Sequence, residues 1–184
     1  IVVVLMNGRP LSINWLNENA NAILETWFAG TMAGDAIAKV LFGDYNPAGK
    51  LPATFPRTVG QVPIYYNHKN TGRPGDLKNH YTSKYLDLPL TPLYPFGYGL
   101  SYTTFEYSSL NLSTNKITED DSIVVSVKVK NSGKYEGEEV VQMYVQDLVG
   151  SVTRPVKELK GFKKIMLKRG EEKSVSFTIS EKDL

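Results

Sequence analysis

The chain has 184 residues, of which 41% are hydrophobic and 22% charged, with a formal net charge of +2. These are globular values; they exclude a disordered or fibrous chain and leave room for one domain or two small ones. The balanced charge gives no footprint for nucleic acid or an acidic membrane surface, and the absence of cysteine excludes disulfide scaffolds, thiolate catalysis and cysteine zinc sites.

The first residue is Ile rather than Met, inside the apolar run Ile1–Met6. That run is far short of the ~20 residues that span a bilayer, so no membrane anchor is expected. The opening does not resemble a signal peptide, and the chain reads as a piece cut from a longer protein. A continuous β-branched run followed by Asn7-Gly8-Arg9-Pro10 predicts a strand of a parallel sheet ending in a turn. Residues 13–20 predict a short crossover helix, and Ala22–Trp27 a second strand. Met32, Ala33, Ala36, Ile37, Val40 and Leu41 fall on one stripe of a helix over 31–42. Thr31 is its expected cap, Asp35 complements its N-terminal dipole, and Gly43 stops it. Strand, helix, strand, helix is the signature of an α/β fold.

Nine of the ten prolines precede residue 100. Proline fixes φ and donates no ladder hydrogen bond, so the region from Pro47 to Pro95 is expected to be ordered loop. Beyond it, apolar and polar residues alternate. Five strands follow at hairpin spacing: Phe105–Leu112, the Ile123–Lys130 run, the Val141–Gln146 run, the Leu159–Leu167 set with Gly161 as a candidate bulge, and the Val175–Ile179 run. The fold class is therefore α/β over residues 1–99, ending in a Pro/Tyr-rich loop region, followed by an all-β sandwich over 100–184. Both are expected to be truncated, because an immunoglobulin-like sandwich uses ~7 strands.

Most catalytic constellations fail. His68 and His80 are the only histidines, without carboxylates at metal spacing, so they read as exposed loop residues and no metal is expected. Gly43–Leu51 is close to a phosphate loop, but it has one residue too many between its glycines and Leu51 where a magnesium-ligating hydroxyl belongs. No cofactor motif is present. Lys157, Lys160, Lys163, Lys164, Lys168 and Arg169 read as a solvated strand face. Glu25, in a strand, could be a buried acid, although a structural pairing is the simpler reading; Glu18 reads as a surface charge. The tyrosines crowd one stretch, Tyr65 to Tyr102, where aromatic faces beside Asn67, Lys69 and Arg73 suit either sugar stacking or amphipathic packing.

Val2–Leu11 resembles a segment of glycoside hydrolase family 3, the β-glucosidase family. So do Ala22–Trp27 with Gly34–Ala38, Leu41–Pro52, Gln61–Asn67, Tyr94–Tyr102, Val145–Asp147 and Arg154–Phe162. The resemblance runs through the whole chain in order, and the Tyr65–Asn67 and Thr71–Pro74 patterns look most like the bacterial, periplasmic type. It implies the end of an α/β sandwich domain joined to a fibronectin type III-like sandwich, with an N-terminal barrel domain missing. It implies a retaining mechanism by two carboxylates, both outside this chain, so no catalytic residue is expected here. The whole protein would take a β-linked oligosaccharide or glucoside, in the periplasm or secreted. The sandwich would buttress the catalytic domains and set contacts in a homodimer; a carbohydrate-binding or adhesion module is the alternative. Substrate contacts are expected from Asn7 and Arg9, which follow the carboxyl end of a parallel strand, and from Tyr65, Tyr66 and Asn67 as an outer sugar subsite.

Overall fold

The computed structural model describes residues 1–118 and 121–183. Two compact units are present: Ile1–Tyr45 with Leu51–Tyr98, and Asn46–Lys50 with the chain from Gly99 onward.

In the first unit, β1 (Val2–Leu5) and β2 (Ala22–Glu25) pair in parallel, with Val2 opposite Ala22 and Leu5 opposite Glu25. Parallel pairing needs a crossover, and α1 (Asn14–Asn19) supplies it within the expected span. Next comes α2 (Ala33–Phe42), which ends at Gly43, whose φ of 85° is the left-handed stop that glycine adopts without strain. Thr31 does not cap this helix. Met32 holds the cap position without a side-chain hydrogen bond, and the Ala33 N–H donates to the Gly30 carbonyl at 3.0 Å. A backbone turn thus takes the role expected of the hydroxyl. Asp35 lies in the first helical turn and pairs with Lys39 at 2.7 Å.

From Gly43 to Tyr98 the regular structure is one 3-10 turn, Val59–Gln61, and a bridge between Phe55 and Tyr94. Residues 51–55 and 93–98 nevertheless run as an irregular antiparallel pair: Leu51 N–H donates to Tyr98 O at 2.8 Å, Gly97 N–H to Leu51 O at 2.7 Å and Phe55 N–H to Tyr94 O at 2.9 Å. Phe55 is 1% exposed and anchors this ladder between Trp27 and Tyr94, at ring separations of 5.9 and 6.1 Å. Tyr94 also stacks on Tyr98 and donates its hydroxyl to Asn17 Oδ1 at 2.7 Å. These two tyrosines are therefore packing residues.

The second unit holds β3 (Phe105–Leu112), β4 (Ser122–Asn131), β5 (Gly137–Val145), β6 (Glu158–Leu167) and β7 (Glu172–Ser180). They form antiparallel sheets of order β3-β4-β7 and β5-β6. Val129 and Val175 from one sheet and Val141 and Leu167 from the other are buried together, flanked by Phe105, Val127, Ile165 and Phe177. Met143 faces Gly161 and Tyr144 faces Leu159, so Lys160 is the extra residue of a bulge beside the expected glycine. A Cβ on Gly161 would lie 2.8 Å from the Phe177 ring, which explains glycine there. Phe162 departs from the apolar set expected of β6: it is 67% exposed, because it stands three and five residues before Ile165 and Leu167 and so faces away from the core they join.

Segment 46–50 is held to this unit. Asn46 donates to the Glu136 carbonyl at 3.0 Å and accepts from Ser101 Oγ and the Tyr102 N–H, both at 2.9 Å. Lys50 pairs with Glu139 at 3.0 Å, and both side chains are nearly buried. The lysine of the motif that looked like a phosphate loop is thus fully engaged. The basic strand residues are engaged as well: Lys164 pairs with Glu138 at 2.6 Å, while Lys157 and Lys163 lie over the Tyr144 and Phe177 rings.

Candidate functional site

At the carboxyl end of β1 the chain turns through Asn7–Pro10. The Asn7 amide closes this turn by donating to the Arg9 carbonyl at 2.7 Å, and Arg9 is exposed. The turn forms one wall of a cavity of about 690 Å³ contained within the first unit. The opposite wall comes from the proline-pinned stretch 52–67, with Phe96 closing one side.

Arg9, Tyr65, Tyr66 and Asn67 all line this cavity. They come from segments more than fifty residues apart in sequence, and the fold brings them to one surface. Asn7 does not line it. It stands one step behind Arg9, with its Oδ1 buried and without a hydrogen-bond partner. Tyr66 stacks on Phe96 at 4.2 Å and 13° between planes, so its ring forms a flat apolar wall. Tyr65 is exposed, and its carbonyl lies 3.2 Å from His68 Nδ1, which tightens the turn that presents Tyr65 to Asn67.

The loop is held in place by residues that sequence reasoning passed over. Gln61 is 2% exposed; its Oε1 accepts from the Arg57 N–H at 2.7 Å and its amide donates to the Pro89 carbonyl at 3.1 Å. Arg57 donates to the Thr91 carbonyl at 3.0 Å, and Asn14 at the start of α1 donates to the Arg57 carbonyl at 2.7 Å. The signal was a lone glutamine in an apolar context just before Val62-Pro63, where an unpaired amide would be costly. Leu11, Val62 and Ile64 give the cavity its mostly apolar lining, and among the described residues no acidic side chain is in its walls.

The carboxylates considered earlier do not converge on the cavity. Glu25 Oε1 accepts from the Trp27 N–H at 3.0 Å, and its Oε2 is buried without a hydrogen-bond partner. That first bond steadies Trp27, whose φ of 53° turns the chain at the end of β2. Glu18 lies exposed on α1. Neither lines the cavity. Among the described residues no group of three or more His, Cys, Asp or Glu side chains is placed to hold a metal ion. Nor is any helix long and apolar enough to cross a membrane.

Comparison with known proteins gives a consistent picture. Residues 1–102 match the glycosyl hydrolase family 3 C-terminal domain, and residues 139–184 match a fibronectin type III-like domain. The chain is 60% identical to a periplasmic beta-glucosidase of Salmonella typhimurium, over 97% of this chain and 24% of that protein. It is 53% identical to a beta-xylosidase of Formosa agariphila, over 100% of this chain and 25% of that protein. Among solved structures, the beta-glucosidase from Listeria innocua in complex with glucose superposes with a TM-score of 0.93 at 48% identity, covering 99% of this chain and 26% of that one. The chain thus spans about a quarter of the length of these relatives.

Proposed function

Since the chain belongs to the glycosyl hydrolase family 3 C-terminal domain family, we propose that it is the C-terminal portion of a retaining β-glucosidase that removes terminal β-glucosyl residues from oligosaccharides or glucosides. The observation that carries this reading is 60% identity to a periplasmic beta-glucosidase along 97% of the chain. A retaining glycosidase uses two carboxyl groups ~5–5.5 Å apart, one attacking the anomeric carbon and one exchanging the proton of the leaving oxygen. Glu25 and Glu18 do not form such a pair at the cavity, so the reacting groups belong to other parts of the whole protein.

The role of this chain is then to scaffold and to line. Arg9, Tyr65, Tyr66 and Asn67 contact the substrate beyond the reacting sugar, and Asn7 positions the turn that carries Arg9. The sandwich is structural; its residue contacts supply a packed core and ion pairs rather than an aromatic binding platform. The name of the same relative, a periplasmic beta-glucosidase, supports an exported, periplasmic location as part of this proposal.

Hydrolysis of 4-nitrophenyl β-glucoside by the full-length protein and by the 184-residue chain tests the reading. Turnover by the full-length protein alone is expected. Turnover by the chain itself would make Glu25 or Glu18 catalytic, and a full-length protein that cleaves no β-glycoside would overturn the assignment.

A further inference from the structure

The cavity described above is chemically one-sided. Its walls are apolar and aromatic: Tyr66 stacked on Phe96, with Leu11, Val62 and Ile64. Among the described residues, Arg9 is the one charged residue of its lining, and no carboxylate stands there to neutralise it. Among the described residues, Arg9 makes no ion pair and no side-chain hydrogen bond. A guanidinium beside an aromatic wall offers a planar fork of donors suited to a carboxylate and a flat surface suited to a ring. Pockets of this kind use a few polar groups to fix orientation and apolar area to hold the ligand.

We propose that this cavity receives the aglycone of the substrate and selects an aromatic aglycone bearing a carboxylate, which Arg9 reads while the Tyr66–Phe96 wall packs on its ring. This rests on the glycosidase reading above. A second sugar is the poorer occupant, because its hydroxyls would face Pro10, Val62 and Ile64 with few partners. Tyr65 and Asn67, at the cavity rim, remain to bond the substituents that face solvent.

The test uses the full-length protein and two glycosides of one shape, 4-carboxyphenyl and 4-carbamoylphenyl β-glucoside. The two leaving groups differ in acidity. That difference is the same for wild type and Arg9→Gln, so the ratio of their kcat/KM ratios isolates the charge. Because Arg9 is exposed, water weakens the contact, and the preference for the carboxylate is expected to fall about three- to fivefold in Arg9→Gln. Added salt should erode the wild-type preference in the same direction. Equal losses on both glycosides would overturn the inference while leaving the glycosidase reading standing. A β-glucosyl uronate disaccharide that depends on Arg9 more than the aryl carboxylate does would overturn the aromatic assignment. Binding of 4-hydroxybenzoate against 4-hydroxybenzamide gives a readout without turnover. If no β-glycoside is cleaved yet the acid binds more tightly in an Arg9-dependent way, the catalytic reading fails and the anion-selective cavity survives. If neither compound shows Arg9-dependent binding, the cavity assignment fails as well.

Discussion

Asn131 has no exposed surface and satisfies every polar atom of its side chain. Its Oδ1 accepts from Thr103 Oγ1 at 2.7 Å and from the Gly133 N–H at 3.1 Å, and its amide donates to the carbonyls of Tyr135 and Leu167 at 2.8 and 3.0 Å. One side chain therefore ties the end of β4 to the turn that follows it and to the end of β6. Asn131→Ala removes all four bonds and leaves two carbonyls, an N–H and the buried Thr103 hydroxyl without these partners, at a cost of about 3 kcal/mol. Urea unfolding of the sandwich in the full-length protein checks this, and a loss below ~1 kcal/mol would mean that water replaces the amide. Tyr107 carries a different lesson. Its hydroxyl donates to Glu139 Oε1 at 2.8 Å; burial first, then that bond and the nearby carboxylate charge, hold its pKa far above the ordinary tyrosine value. The folded state thus keeps a proton that the unfolded chain releases near pH ~10. The resulting stability is fully present below that pH and is lost as the pH rises towards the folded value. The wild-type unfolding midpoint should fall more steeply between neutral and strongly alkaline pH than that of Tyr107→Phe, and parallel pH profiles would refute the assignment.

Among the elements, periodicity was informative wherever one face is buried. The alternation of Val125, Val127 and Val129, and of Val141 and Met143, foretold β4 and β5 because a two-residue repeat has one way to face a core. The helix cap was misread because a backbone turn at Gly30–Ala33 satisfies the donor that Thr31 was expected to satisfy. Phe162 was misread because it stands out of step with Ile165 and Leu167, on the opposite face of the strand. For segment 46–50 the sequence could reject a phosphate loop, from the glycine spacing and Leu51, but could not show that Glu139 stands beside Lys50. Lys50 and Glu139 are 14% and 10% exposed in their side chains, so removing one partner leaves a nearly buried charge. Lys50→Met is expected to destabilise the second unit by about 3 kcal/mol. The double variant Lys50→Met/Glu139→Leu should lose clearly less than the sum of the single losses, since the charges vanish together. A double-mutant cycle on thermal unfolding decides this, and strict additivity would show that the pair is not coupled.

Across the whole molecule, the candidate site was legible only as separate fragments. Arg9 could be placed after a strand and Tyr65–Asn67 in a proline-pinned loop, but their meeting at one cavity depends on Gln61, Arg57 and Asn14, whose contacts span 28 to 43 residues. No local pattern carries such pairings. The same long-range logic bears on how the chain behaves alone. In the first unit, α1 and α2 hold no buried residue, and β1 and β2 are at best half-buried. Trp15, Phe28 and Phe42 are 68%, 84% and 83% exposed. The parallel sheet has two strands, so both of its outer edges offer unpaired backbone groups among the described residues. Two strands with little burial are marginal by themselves, and open edges beside exposed aromatic rings favour pairing with another copy. The isolated 184-residue chain should therefore self-associate at micromolar concentration, whereas a polypeptide as long as its relatives should stay monodisperse. Sedimentation velocity on the two proteins measures this directly. A monomeric isolated chain with one cooperative thermal transition would show that the Phe55 aromatic cluster and the loop ladder around it hold the first unit together without further partners.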